Sequence, residues 1–208
     1  MYQKFESLPE EKRQRIINAA LREFSVRAFK NASTEKIAAA AEISKGALFE
    51  YFRTKKQLYA YLLDYAMKEL LEKYGGFWSH AGSDPLEIVR GLFTLKMEQM
   101  KEYPALYDFL ARAYMREPDP ELSDMTRDRA EAAKGGFMKN AFDKLDYSLF
   151  KDGFDPRMLM NVVIWTLYGY SDSEMAKLRA SGADFHDTGE WEKTIAEYFR
   201  IFRVCLYK

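Results

Sequence analysis

Residues 33–52 read STEKIAAAAEISKGALFEYF, and the fold follows from this stretch. Ser33 suits an N-cap, since its hydroxyl can accept from an orphan amide of the first turn, and it opens a short helix over Thr34–Ala41. Ile37, Ala38 and Ala41 fall on one side of that helix and face inward. A tight turn follows, and Ser44 caps a second helix that runs from Lys45 to about Phe52. Alanine at the contact face lets two helices cross closely, as a helix-turn-helix requires. The outer face of the second helix carries Ser44, Lys45, Ala47, Glu50 and Tyr51. Gly46 near its start lets a backbone approach another surface, at up to ~1 kcal/mol of helix propensity. A helix N-terminus with a hydroxyl and a lysine suits phosphate or base-edge contact, and Arg53, Lys55 and Lys56 offer a second clamp. Spacing alone leaves open any helical hairpin with a solvated basic face.

Outward from this stretch the periodicity stays helical. Pro9 precedes a helix whose apolar stripe is Ile16, Ile17, Ala20, Leu21 and Phe24. Lys55 opens a long helix to about Tyr74, ended by a loop that takes in Gly75, Gly76 and residues 80–85. Asp84-Pro85 is a cap followed by a first-turn proline, and starts a helix to Tyr103; Pro104 restarts it to about Arg116. After a break at 117–121 comes a helix weakened at Gly135-Gly136 and ending near Ser148. Asp155-Pro156 repeats the cap and launches a helix to about Ala180; a loop over 181–189 precedes the last helix, Trp191–Tyr207. The expectation is an all-α chain of 208 residues without internal repeats.

Lys+Arg and Asp+Glu both total 32, but the balance is not local. Residues 1–60 carry 12 basic and 7 acidic side chains, net +5, and residues 61–208 carry 20 and 25, net −5. The first part therefore has the charge expected of a nucleic-acid binder, which the total conceals. The single cysteine, Cys205, excludes an internal disulfide framework, and its place on an apolar stripe suggests packing. With no run of about 20 apolar residues and no apolar signal core, the sequence predicts a soluble, cytoplasmic protein. His80 and His186 are far apart in loop-like stretches, and no phosphate-cradling glycine loop, nucleophile elbow or HExxH occurs, so neither an enzyme, a metal nor a cofactor is expected.

Residues 9–58 resemble the N-terminal domain of the TetR family of transcriptional regulators. The resemblance runs through Ile16, Ala20, Phe24, Phe29, Ser33-Thr34, Ile37-Ala38, Ala41, the run Ile43–Phe49, Tyr51-Phe52, and Lys55 to Leu58. It implies a three-helix DNA-binding head, residues 1–54, whose third helix enters the major groove, and a helical ligand-binding and dimerising body, residues 55–208. By position it implies phosphate contacts at Thr34 and Lys55, beside Ser33 and Lys56, and a reading face of Ser44, Lys45, Gly46, Ala47, Glu50 and Tyr51. Phe24, Ile37, Leu48 and Phe52 would be head core. Three positions depart from the pattern: Ala28 stands for a helix-terminating glycine, Glu42 for the usual turn glycine, and Phe49 for a frequent tyrosine. A left-handed Glu42 would strain the turn by roughly 1 kcal/mol. Glu50 can accept from a cytosine amino group or stay solvated at the groove edge.

The body is read from periodicity. Met158–Tyr170 is apolar nearly all round, so its helix must be covered on two sides. The last helix lines up Trp191, Ile195, Tyr198, Phe199 and Phe202, with Cys205 and Leu206. Pairing both helices with their copies in a second subunit gives the four-helix interface usual in the family, with Val162 and Trp165 joining that stripe; completing a monomer core is the alternative. Phe93, Met97, Met100, Tyr107, Tyr114 and Phe137, with Trp165 and Tyr168, are adaptable side chains that could line a cavity, with core as the more ordinary role of any one of them. Acidic Glu98, Glu102 and Asp108 would select a cationic ligand if they faced it. The expected function is a homodimeric regulator, a repressor of a palindromic operator released by a small-molecule effector. The rival reading is a helical small-molecule or protein-binding module that no longer reads DNA, which Glu42 and Glu50 favour.

Overall fold

The structure is a computed structural model that describes residues 2–78, 82–116, 120–129, 131, 145–181 and 189–208. Its described helices are α1 (Gln3–Glu6), α2 (Glu10–Val26), α3 (Thr34–Ala40), α4 (Lys45–Phe52), α5 (Lys55–Trp78), α6 (Pro85–Glu102), α7 (Pro104–Ala111), α8 over 123–129, α9 (Pro156–Ser181) and α10 (Gly189–Leu206). No strand occurs among the described residues, only one isolated bridge between Phe150 and Tyr207. The fold is all-α. Its helix starts obey their capping chemistry. The Ser33 hydroxyl accepts from the Lys36 amide at 3.3 Å and that of Ser44 from the Ala47 amide at 3.0 Å. Asp84 accepts from the Leu86 amide at 2.9 Å, and Asp155 from the Arg157 amide at 2.9 Å.

Several boundaries differ from expectation. The glycines at 75 and 76 lie inside α5, which continues to Trp78. Their cost of about 1 kcal/mol each is spread over a helix of 24 residues that is already nucleated. The helix after Pro104 widens into a π turn over Arg112–Arg116. Residues 147–149 form a separate 3-10 turn instead of the end of a long helix. Gly135, Gly136 and Phe137, like His80 and His186, lie outside the described residues.

The chain divides into two compact units, Met1–Lys73 with Tyr103–Lys139, and Tyr74–Glu102 with Asn140–Lys208. The first is larger than the head proposed from sequence because α5 and α7 share its core. Phe24 lies edge-on to Tyr59 at 5.0 Å, and Tyr59 meets Phe109 of α7 at 5.0 Å. Ile16, Phe24, Ile37, Leu48 and Phe52 are all buried there, as the head-core reading requires. Arg112 donates to the Ser25 carbonyl at 3.0 Å.

The second unit packs α6, α9 and α10 around Leu86, Phe93, Met97, Val163, Leu167, Trp191 and Ile195. A Cβ at Gly91 would meet the half-buried Phe77 ring, which would have to shift to admit it. A polar clamp closes one end: Tyr207 donates its hydroxyl to Asp84 at 2.6 Å, and Arg203 reaches Glu87 at 2.6 Å. Lys151 donates its amide to the Leu206 carbonyl at 2.8 Å, beside the Phe150–Tyr207 bridge.

Only one face of α9 is covered within the protomer. Met160, Val163, Leu167 and Ser171 are buried, while Met158, Val162, Trp165 and Tyr168 are exposed, Trp165 at 70%. The stripe assigned to the interface on the last helix is instead core. Trp191, Ile195, Phe199 and Phe202 are 3–7% exposed, because α10 turns its strongest apolar face into its own unit, and Tyr198 is half-buried. The exposed apolar residues of α10 are Ile201, Val204 and Cys205. Cys205 is therefore a free surface thiol, not a packing residue.

Candidate nucleic-acid interface

The helix-turn-helix is set by the end of α3. Glu42 donates its amide to the Ala39 carbonyl at 3.1 Å, and Ile43 to the Ala38 carbonyl at 3.0 Å. These two bonds are a Schellman motif, whose C′ residue must be left-handed. That residue is Glu42, at φ 56°. The strained turn expected from the missing glycine is thus present. Ala28, by contrast, is extended at φ −56° and ψ 151°, so no glycine is needed there. A second left-handed residue, Arg53 at φ 55° and ψ −44°, ends α4, with Thr54 donating its amide to the Phe52 carbonyl.

Leu48 and Phe52 anchor α4 in the core. Its other side carries the expected residues: Ser44, Lys45, Gly46 and Glu50 are exposed, and Ala47 and Tyr51 are half-buried. A Cβ on Gly46 would meet nothing closer than the Ser44 hydroxyl at 3.8 Å. Packing therefore does not demand this glycine, and the space it leaves lies on the outside. Ser33 and Thr34, half-buried, begin α3 nearby. The Ser33 amide donates to Glu23 at 2.9 Å, tying that cap to α2.

Both charged groups on the face of α4 are already paired. Lys45 contacts Glu35 at 2.6 Å, and Glu50 contacts Lys4 at 2.7 Å. Each lysine's hydrogen bond and charge hold the partner carboxyl below its usual range. Lys55 is spent differently from the phosphate role expected of it. Its ammonium donates to the carbonyls of Lys30 at 3.2 Å and Ala32 at 3.1 Å, over the Phe29 ring, and braces the turn before α3. Lys56 donates to the Glu121 carbonyl at 3.0 Å. Arg22, Lys30, Lys36 and Arg53 have no ion pair among the described residues, and Arg22 and Lys36 line an open groove of about 520 Å³ between α2 and α3.

Sequence reasoning missed α1. Phe5 is fully buried and Tyr2 meets the same Phe52 and Tyr61 rings, so two aromatics in an otherwise polar segment were the available signal.

The residues expected to line a pocket are divided between the two units. Tyr107 and Tyr114 belong to the first unit; Phe93, Met97 and Met100 belong to the second, where Phe93 and Met97 are core and Met100 packs against it. Trp165 and Tyr168 are exposed on the surface. Glu98 and Glu102 are exposed. The charged group set among the apolar side chains is a cation, Lys96, 3.3 Å from the buried Ser171 hydroxyl and 4.9 Å from the Tyr168 ring. Burial pushes its pKa down, partly opposed by Asp172. Among the described residues no group of three or more His, Cys, Asp or Glu could hold a metal, and no helix is long and apolar enough to cross a membrane.

Comparison with known proteins agrees with this geometry. Residues 16–62 match the family model described as bacterial regulatory proteins, tetR family. No curated protein matches the chain in sequence. A TetR family transcriptional regulator from Chloroflexus aurantiacus has a similar structure, with TM-score 0.71 and 19% identity, over 99% of this chain and 98% of that one. A ketosteroid transcriptional regulator of Mycobacterium tuberculosis matches with TM-score 0.64 and 17% identity, over 97% of each chain. The regulator FadR of Bacillus subtilis, solved in complex with stearoyl-CoA, matches with TM-score 0.60 and 14% identity, over 91% of this chain and 96% of that one. These identities speak for the fold, and the matched segment contains the helix-turn-helix. Residues 16–62 thus carry a domain of the tetR family of bacterial regulatory proteins, within a chain whose fold is that of solved TetR family regulators.

Proposed function

We propose that the protein is a homodimeric repressor that binds a palindromic operator and leaves it when a small-molecule effector occupies the body. The observation that carries the reading is α4: a capped helix anchored by Leu48 and Phe52, with Ser44, Lys45, Gly46 and Glu50 exposed and Ala47 and Tyr51 half-buried beside them. Small residues at its start allow close approach to base edges, and Tyr51 offers a hydroxyl and a ring. Ser33 and Thr34 are proposed phosphate contacts. Lys55 and Lys56 join them only by leaving the carbonyls they hold in the free protein.

A palindrome needs two heads about 34 Å apart, one per successive major groove. The exposed stripe Met158, Val162, Trp165 and Tyr168 on α9, with Ile201 and Val204 on α10, supports pairing with a second copy. A helix apolar on both faces loses free energy unless both are covered, at about 25 cal/mol per Å² left in water. The effector would favour a dimer geometry with the wrong head spacing. Moving that equilibrium from 1:99 to 99:1 takes about 5.5 kcal/mol of differential binding. Lys96 supports a neutral or acidic effector over a cationic one.

The test is retention of fragments from a genomic pool by the purified protein, followed by gel shifts on the recovered duplexes. Enrichment of palindromic sites, lost in Lys45→Ala/Tyr51→Ala, is the expected result. Binding indifferent to that double substitution refutes the placement of the reading helix. Failure to enrich any site favours the module that has lost DNA reading.

A further inference from the structure

The short helix α1 docks on the reading helix. Phe5 is fully buried, its ring 4.6 Å from Phe52 of α4 and 5.0 Å from Tyr61 of α5. Tyr2 meets the Phe52 ring at a tilt, 5.8 Å between centroids, and donates its hydroxyl to the Gln57 carbonyl at 3.2 Å. Arg13 donates to the Glu6 carbonyl at 2.9 Å. The segment is therefore fixed on both sides of Lys4, whose ammonium meets the Glu50 carboxylate at 2.7 Å. Both side chains remain exposed, 71% for Lys4 and 59% for Glu50. None of these N-terminal residues falls within the segment, 16–62, matched by the family model.

Glu50 otherwise poses a problem. It stands on the same outer face as Lys45, and duplex DNA carries one negative charge per about 1.7 Å of axis. A bare carboxylate there would repel the phosphates walling the groove. We infer that α1 is a working part of the DNA-reading surface, with Lys4 neutralising Glu50 so that the carboxylate can face DNA without repelling it. Lys4 is thus a positioning and charge-balancing residue, and Phe5 is the anchor that holds it at α4. This rests on the reading of α4 as the groove helix.

The experiment is a charge cycle on two probes, a 30-bp duplex of mixed sequence and a duplex recovered from the genomic pool. Lys4→Met, Glu50→Gln, the double variant and Lys4→Arg are titrated between about 50 and 300 mM salt, where the Debye length falls below about 10 Å. Each net charge at the interface changes the log–log salt slope by about 0.9. Lys4→Met should weaken binding about fivefold to tenfold at the lowest salt and flatten the slope by about that amount. Glu50→Gln should tighten binding to the mixed-sequence duplex and steepen the slope equally. The double variant should return to within about twofold of wild type, and Lys4→Arg should match wild type. A merely structural Lys4 would not move the slope, and thermal melts of each variant show whether the fold is intact. Lys4→Met indistinguishable from wild type, or a double variant as weak as Lys4→Met, overturns the inference while leaving the reading helix in place. A wild-type protein that holds neither duplex removes the reading helix itself, and this inference with it.

Discussion

Replacing Glu42 by glycine should stabilise the protein, against the usual cost of glycine. Glu42 is the C′ residue of α3, held at φ 56° by amide bonds to the Ala39 and Ala38 carbonyls. An L side chain there costs roughly 1–2 kcal/mol in contact between Cβ and its own carbonyl. Glycine removes that strain, but frees the unfolded chain by about 0.4–1 kcal/mol. The other loss is small: the Arg15–Glu42 ion pair spans 3.9 Å between side chains 40% and 74% exposed, and such pairs contribute about 0–1 kcal/mol. The net expectation is a gain of about 0.5–1 kcal/mol, or about 1–4 °C in Tm for a chain of this size. Glu42→Ala separates the terms, because it loses the carboxylate and keeps the Cβ. Asn tolerates the left-handed region better than most residues. Thermal melts followed by circular dichroism, with urea titrations for ΔG, should therefore rank Gly above Asn, and Asn above Ala. A glycine variant no more stable than the alanine variant would refute the strain argument.

Three further outcomes follow from the packing and the titrating groups. Phe5→Ala should destabilise the first unit by about 3–5 kcal/mol, read from the urea midpoint, since a fully buried ring against Phe52 is lost; a loss under about 1 kcal/mol would mean α1 is not docked. Trp165→Glu should turn a dimer into monomers in sedimentation velocity without lowering protomer stability, because the ring is 70% exposed; a persistent dimer would place the interface elsewhere. Burial alone pushes the Asp84 carboxyl up, but the Tyr207 hydroxyl, the Glu87 and Leu86 amides and Arg203 together hold it below its usual range. A depressed folded pKa gives stability that is complete above the unfolded value near about 3.9 and is lost as pH falls through the folded value. Asp84→Asn should therefore lower Tm at neutral pH and shrink its decline below about pH 4.

What was legible in the sequence was local. Ser33, Ser44, Asp84 and Asp155 cap the helices they introduce, because a hydroxyl or carboxylate next to a first turn meets its amides whatever the rest of the chain does. The turn strain at Glu42 was legible for the same reason. The partners of apolar stripes were not. A stripe such as Trp191–Phe202 announces that one face is covered, without saying by what, and here α6 and α9 of the same protomer cover it. The α9 pattern carried more, because a helix apolar on opposite sides needs two neighbours and one protomer supplies one. Phe5 was overlooked because a four-residue helix has no period to detect. The same limit applied to Lys55, whose carbonyl partners lie 23 and 25 residues away.

On the proposed reading of α4 as the groove helix, the pairing of charges on its outer face changes where DNA affinity must originate. The net +5 of residues 1–60 is a sum, and its members are unequally available. Lys4 and Lys45 each face a carboxylate, so together with Glu50 and Glu35 they add no net charge at α4. Lys55 and Lys56 are held by carbonyls. Among the described residues, the cations without an ion pair include Lys12 and Arg22 of α2, Lys30 in the turn before α3, Lys36 of α3 and Arg53 at the end of α4. They flank the reading helix instead of lying on its face. The salt-dependent phosphate attraction thus comes from the rim, and α4 presents the groove with a charge-balanced surface of small residues, a tyrosine and two ion pairs. Such a surface adds little to binding of arbitrary sequence, because a neutral face gains nothing from phosphate alone. It gains when the bases offer matching donors and acceptors, with Lys4 still balancing Glu50 and Lys45 still balancing Glu35. On the proposed reading, specificity therefore rests on base-edge contacts made by a face whose carboxylates keep their lysines, and affinity for arbitrary sequence rests on the flanking cations.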